Sequence, residues 1–237
     1  PVVNAMFELI SGKSPYKSPT DMGVNMVGKC IIDDEVCCKA SAQEIIRRYY
    51  NCLQDLKKTG QEKDDKYKLE ILMKQAGITT EDREVVKYAL EKEKITGDHP
   101  AVAIELHDGT IVTGKTSDLL SASASALMNA LKHVAGIAHD IKLISPEAIE
   151  PITRLKTDYL GSRNPRLHTD EILIALSTTA ARNELAREAM KAIPELKGCE
   201  AHSSVILSSV DEQIFRKLGI NLTCEPKYEE DDRRYHK

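Results

Sequence analysis

The chain of 237 residues is expected to fold in two parts, a helical domain over 1–97 and a layered α/β domain over 98–237, with helices covering a mixed sheet. Three observations predict this. Up to Gly97 the apolar residues recur at helical spacing, with a strand-like run only at Cys30-Ile31-Ile32. At Asp98-His99-Pro100 the pattern changes: Ala101 to Leu106 and Thr110 to Thr113 read as strands joined by the hairpin turn His107-Asp108-Gly109. Beyond that hairpin, helices and short apolar runs alternate.

In order, the first helix carries Val2, Val3, Met6, Phe7, Leu9 and Ile10 and stops at Gly12. A connector rich in turn formers follows, in which Ser14 to Pro19 combines prolines, a lysine and hydroxyls and suits either a ligand-facing loop or an ordinary link. Ser41 with Glu44 reads as a capping box opening a helix that buries Ile45, Ile46, Tyr49, Leu53 and Leu56. The next helix carries Leu69, Leu72, Met73 and Ala76 and ends at Gly77, and a fourth begins after Thr80 and runs through Val85, Val86, Ala89 and Leu90 to Gly97.

In the second domain, residues 118–135 form a helix of small side chains that allows close packing on a sheet. Ile141 to Ile144 reads as a strand, and Ser145-Pro146 opens a helix. A further helix starts with Thr169 as its cap, followed by a strand from Ala201 to Leu207. Ser209 with Glu212 reads as a capping box before a short helix, and Ile220 to Cys224 is the last strand. The charged tail from Tyr228 to Lys237 is expected to be solvated or used in a contact.

A net charge of −4 argues against a duplex DNA binder, and two Phe, eight Tyr and no Trp offer few platforms for stacked bases. No apolar run is long enough to span a bilayer, and the six cysteines show no disulfide framework, so a cytoplasmic protein with neither nucleic-acid nor membrane partner is expected. Cys30, Cys37 and Cys38, beside Asp33, Asp34 and Glu35, lack paired C-x-x-C spacing and read as thiols near an acidic turn. The chain begins at Pro1 without an initiator methionine.

Gly161 to Glu171 concentrates the chemistry. It places Arg163, Asn164, Arg166, His168, Asp170 and Glu171 just before and within the first turn of an apolar helix. Two guanidiniums beside a helix start suit a carboxylate or phosphate. Asn164-Pro165 would aim them, and Leu167 would anchor the loop. The ordinary alternative is a solvated loop whose arginines pair with nearby acids. His168 is the candidate for acid/base work, oriented by Asp170 or Glu171. His168 with Glu171 is too common a pair to argue for a metal, and no metal is assigned. His202, on a strand, reads as a satisfied core histidine or a pocket residue.

Gly109 to Thr116 matches the phosphate-loop pattern letter for letter, yet its spacers Thr110, Ile111, Val112 and Thr113 favour a strand. A weaker version is an anion held by Lys115, Thr116 and Ser117 at a helix start, beside Thr169 and the arginine loop.

The strings Ser14 to Asn25, Cys30 to Val36, Val112 to Leu120, Leu160 to Glu171 and Lys217 to Lys227 together resemble one bacterial family, uncharacterised protein family 0371, also called domain of unknown function 1846. The resemblance covers essentially the whole chain. It implies that this chain corresponds to the C-terminal half of a longer protein, with Pro1 lying mid-chain and the missing N-terminal half as a partner. It also implies a three-layer α/β/α topology similar to cytidine deaminases, behind a helical domain. The chain has no H-x-E and no P-C-x-x-C, so deaminase zinc ligands and catalytic acid have no counterpart. The family brings a fold and no reaction, and no cofactor can be named.

The expected function is therefore part of a cytosolic enzyme that binds a small anionic or phosphorylated metabolite. Arg163, Asn164, Arg166, Thr169, Lys115, Thr116 and Ser117 would hold the anion, with His168, Asp170 and Glu171 in the catalytic role. The competing expectation is a non-catalytic oligomerisation or ligand-sensing module, a homo-oligomer using the small-residue helix from Ser121 to Ala126 and the charged tail as contacts. A third is nucleotide binding through residues 109–116.

Overall fold

The computed structural model describes residues 2–12, 33–61 and 65–229. Two compact units are present, Pro1–Tyr49 with Lys63–Arg83 and Tyr50–Glu62 with Glu84–Lys237. The expected strand at Cys30 to Ile32, the loop from Ser14 to Pro19 and the end of the charged tail lie outside the described residues.

Helix α1 (Val2–Ser11) stops at Gly12, which takes φ 71° as a chain-reversing residue should. Helix α2 (Asp34–Thr59) begins well before Ser41. Its cap is Asp33, whose Oδ1 accepts the Val36 N–H at 3.0 Å. Ser41 and Glu44 therefore lie inside the helix, and Glu44 pairs instead with Arg47 and Arg48, 2.8 and 2.7 Å away. Helix α3 (Asp65–Ala76) ends at Gly77 as expected. In the first unit Ile46, Leu69 and Met73 are buried, and the buried Arg83 guanidinium donates to Gln43 Oε1 at 3.2 Å.

The second unit is α/β. Helix α4 (Glu84–Ile95) leads into the expected hairpin of β1 (Ala101–Glu105) and β2 (Ile111–Lys115), turned at Gly109 with φ 81°. After them come α5 (Ala122–Val134), α6 (Pro146–Arg154), α7 (Thr169–Ala180), α8 (Glu184–Lys191), β3 (Glu200–Ser203), α9 (Ser209–Lys217) and β4 (Asn221–Cys224). The sheet order is β2-β1-β3-β4. β1 is antiparallel to both β2 and β3, and β3 is parallel to β4, so the sheet is mixed. β2, β3 and β4 consequently all run the same way, and their carboxyl ends lie along one edge of the sheet.

Alternation along β1 sends its side chains to two faces. Ala103 packs with Val85 and Ala89 of α4, whereas Val102 and Ile104 share a cluster with Ala124 and Leu127 of α5. The small residues of α5 serve this close approach. A Cβ on Gly114 of β2 would stand 2.1 Å from the Ala126 backbone nitrogen. Ala122, Ser123, Ala124 and Ala126 are buried inside the unit, which removes them as the subunit contact surface the sequence suggested.

Other expectations are corrected here. Ile141 to Ile144 is not a strand: Ile141 N–H closes a turn on Ala138 at 3.1 Å, while Leu143 and Ile144 plug the core. Helix α8 was not anticipated. The Ile111–Lys115 segment is paired with β1, and Leu106 N–H donates to Thr110 at 2.9 Å, so the backbone of the phosphate-loop look-alike is spent on the sheet. Nucleotide binding through residues 109–116 falls with it. Helix α5 starts only at Ala122, so Lys115, Thr116 and Ser117 precede its first turn and are not part of a helix start. No helix among the described residues is long and apolar enough to cross a membrane.

Candidate functional site

The segments that leave the parallel strands meet in one place. Thr116 after β2, Val205 to Ser208 after β3 and Tyr228 and Glu229 beyond β4 all line a cavity of about 160 Å³, together with Asn164, Arg166, His168 and Asp211. Open α/β sheets commonly hold ligands at this edge.

Asp211 organises the site. It is on the first turn of α9, whose N-cap is Ser208 and not Ser209; Ser208 Oγ accepts the Asp211 N–H at 3.2 Å. The sequence offers Ser208-x-x-Asp211 and Ser209-x-x-Glu212 side by side, and the buried carboxylate takes the first register because it has partners there. Its Oδ1 accepts the Thr169 N–H and hydroxyl, both at 2.9 Å. Its Oδ2 accepts from Ser208 Oγ at 3.0 Å and from His168 Nδ1 at 2.9 Å. Burial works to raise the carboxyl's pKa, but the His168 hydrogen bond and the Thr169 donors hold it below the ordinary carboxylate range. Glu212, freed from capping, accepts from Lys58 Nζ at 2.9 Å and from Gln54 of α2.

The tautomer of His168 follows from its neighbours. Asn164 Oδ1 accepts the Arg166 N–H at 3.0 Å, which turns the amide Nδ2 toward His168 Nε2 at 3.0 Å. Nε2 is then an acceptor and the proton sits on Nδ1, facing Asp211. His168, and not Thr169, is the N-cap of α7. Thr169 is already helical and fully buried, its hydroxyl committed to Asp211.

Asp170 and Glu171 do not orient the His168 ring. Asp170 Oδ1 accepts the Glu171 N–H at 2.8 Å, while Glu171 Oε2 accepts the His168 backbone N–H and the Lys156 amine, each at 2.8 Å. Lys156, on the π-helical turn Leu155–Tyr159 after α6, also donates to the Arg166 carbonyl at 2.6 Å. Leu167 anchors the loop as expected, fully buried and bonded through its N–H to Leu119 at 2.8 Å and through its carbonyl to Ser121 at 3.0 Å.

The two arginines separate. Arg166 reaches the cavity and pairs with Glu229 at 3.0 Å. Arg163 is exposed and lines neither this cavity nor the larger one on the other side of the β2 end. Lys115 and Ser117 line that larger cavity and Thr116 the smaller one, so residues expected to share an anion serve two spaces. Sequence reading missed Asp211, Ser208, Lys156 and Glu229; only the first two had a signal, the alternative capping register. His202 is a satisfied core histidine, with Nδ1 2.8 Å from Thr223 Oγ1 and Nε2 3.2 Å from Glu225 Oε1.

Comparison with known proteins gives the lineage. Residues 81–234 match the family described as domain of unknown function DUF1846, C-terminal, and residues 1–77 match its N-terminal counterpart. The chain thus carries more than the C-terminal part, which corrects the expectation of a C-terminal half alone. It is 56% identical over 229 residues to the UPF0371 protein of Corynebacterium glutamicum (strain R), covering 97% of this chain and 46% of that one. Against the UPF0371 protein of Streptococcus pneumoniae (strain JJA) it is 54% identical over 237 residues, covering 100% of this chain and 48% of the other. The chain spans about half the length of the curated relatives it matches. On the match over 81–234, supported by these relatives, the chain belongs to the DUF1846 (UPF0371) family.

Proposed function

We propose that the cavity at the carboxyl ends of β2, β3 and β4 binds the carboxylate or phosphate of a small metabolite, with Arg166 as the anion-holding group. The observation that carries this is the Arg166–Glu229 pair: inside a cavity lined by His168 and Asp211, the guanidinium already holds a carboxylate. Glu229, from the segment following the last strand, is an internal stand-in that a ligand anion would displace. Arg163, exposed and outside the cavity, has no direct part in this site. A sheet with a hairpin at one edge and parallel strands joined through a helix supports a cytidine-deaminase-like topology, without that family's zinc signature.

In this reading the site belongs to a cytoplasmic enzyme, and His168 moves a proton only when Asn164 yields Nε2 to the ligand. That both ring nitrogens are held by protein groups favours a second reading, a ligand sensor with no chemistry of its own.

Thermal-shift titration of the full-length protein with inorganic phosphate and with citrate tests the anion site. Glu229→Gln should respond at concentrations several-fold below the wild type, and Arg166→Ala should not respond. Equal responses from all three proteins would remove the proposal. Once a turned-over compound is found, loss of turnover with retained binding in His168→Gln separates enzyme from sensor.

A further inference from the structure

A second cavity, of about 700 Å³, is a different space from the Arg166 site. Its walls come from the end of β2, from α5, from the irregular stretch after α5 and from α6 and α7. Its deep side is apolar, formed by Met128, Leu143, Ile144, Ile149 and Ile172, all buried. Its rim carries Lys92, Lys115, Lys132 and Lys142, with His133 and His139. Among the described residues no aspartate or glutamate lines it, although acids outnumber bases in the chain, 37 against 33.

Two of the rim groups have protein partners. Lys132 Nζ donates to the His139 carbonyl at 3.0 Å, and the His133 ring is 2.9 Å from Asp108 Oδ2. Lys115 and Lys142 make no close ion pair with any described residue, although the Lys142 charge acts on the Glu147 carboxylate, which lies outside the cavity wall. Burial holds the Lys132 amine below its ordinary pKa, with the Asp140 charge working the other way. Gathering like charges around one concavity is unfavourable unless an anion neutralises them. The volume lies within the range of small-molecule sites, and one inorganic ion would leave the apolar deep side facing water.

We propose that this cavity binds a small amphipathic anion, its apolar body on Met128, Leu143 and Ile149 and its phosphate or carboxylate among Lys115, Lys132 and Lys142. The polar groups of Asn129 and Ser125 lie on the wall between the two ends, with Asn129 Nδ2 donating to the Thr113 carbonyl at 2.9 Å. Size, an apolar wall and a cationic rim are the features that such a ligand matches part for part. This site is independent of the Arg166 reading and stands if that one fails.

The test uses octyl phosphate, below its micelle-forming concentration, on the full-length protein. Octanol and inorganic phosphate are the controls. Calorimetry gives Kd, and the ¹³C-methyl signal of Met128, assigned through Met128→Leu, reports the place of binding. Octyl phosphate should bind at least tenfold more tightly than either control and shift the Met128 methyl signal. The double variant Lys115→Glu/Lys142→Glu, altered at exposed side chains, should weaken binding tenfold or more, and Arg166→Ala should leave it unchanged. The proposal is overturned if octyl phosphate gains nothing over octanol or inorganic phosphate. It is also overturned if the Met128 signal stays still, if the charge reversal has no effect, or if Arg166→Ala abolishes binding.

Discussion

The two cavities lie on either side of the chain that leaves β2, and they handle charge in opposite ways. In the smaller one the ionisable groups are tied to one another: His168 to Asp211, Arg166 to Glu229, and nearby Lys156 to Glu171. In the larger one Lys115 and Lys142 make no close ion pair with a described residue, and the acids that act on its basic groups, Asp108, Asp140 and Glu147, are not among the lining residues. Internal pairing makes the first a structural junction as well as a candidate site, because it ties the start of α7 to the start of α9. The second contributes less to holding the fold, and its lysines can be altered without breaking such a junction. A cluster of perturbed, buried groups therefore has to be examined for what its partners already do before it is read as a ligand site.

The sharpest way to break this comparison is Asp211→Ala. Four donors would lose their acceptor, and the buried His168 Nδ1–H would keep only the longer contact to Ser208 Oγ, at 3.4 Å. Removing one partner of such a buried pair costs about 3–5 kcal/mol, measurable as a fall in the urea midpoint. Acid gives a second readout. The Asp211 pKa is lowered in the fold, so its stabilising contribution is fully present above the unfolded carboxylate pKa of about 3.9 and is lost as pH falls through the lower folded value. Asp211→Asn should remove that part of the acid dependence. An unchanged pH profile would mean that the junction contributes no charge-dependent stability.

Gly114→Ala probes the other cavity. The added Cβ meets the backbone of α5 and not a yielding side chain, so the strand and helix must separate. Forced repacking of this kind costs about 1–3 kcal/mol or more. Gly114 also lines the large cavity, so octyl phosphate binding should weaken with it while the phosphate response of Glu229→Gln is kept. Loss of both would show that the two spaces are one coupled site.

How much of this was legible in the sequence depended on whether local signals were unique. The β1–β2 hairpin was readable because Asp108-Gly109 sits between two short runs rich in apolar and β-branched residues, and that same turn explains why the letters of a phosphate loop became a strand. Gly77 and Gly97 marked helix ends correctly, with φ 65° and 74°. The strand expected at Ile141 to Ile144 failed because a short apolar run states burial and not backbone form; Leu143 and Ile144 are indeed buried. At the site, the loop from Gly161 to Leu167 announced itself by composition. Its partners did not. Asp211 lies 43 residues beyond His168, and Glu229 lies 63 beyond Arg166. Such pairings are set by how α9 and the last strand pack, which no local pattern contains.

Ser121 offers the mildest test, because it touches both sides of the comparison. Its hydroxyl accepts the Ala124 N–H at 3.2 Å as the N-cap of α5, and its backbone N–H donates to the Leu167 carbonyl at 3.0 Å. It lines the small cavity, while the helix it caps supplies Ser125 and Met128 to the large one. Ser121→Ala removes the cap bond and the bond to the Ser123 hydroxyl at 2.9 Å and should cost about 1 kcal/mol, with Ser121→Thr recovering most of it. Because the backbone link to Leu167 survives, the phosphate response of the Arg166 site should persist, and octyl phosphate should weaken only as far as the first turn of α5 frays. A loss at both sites from this single hydroxyl would mean that the end of α5 governs the two cavities jointly, and the contrast between them would have to be replaced by one shared element.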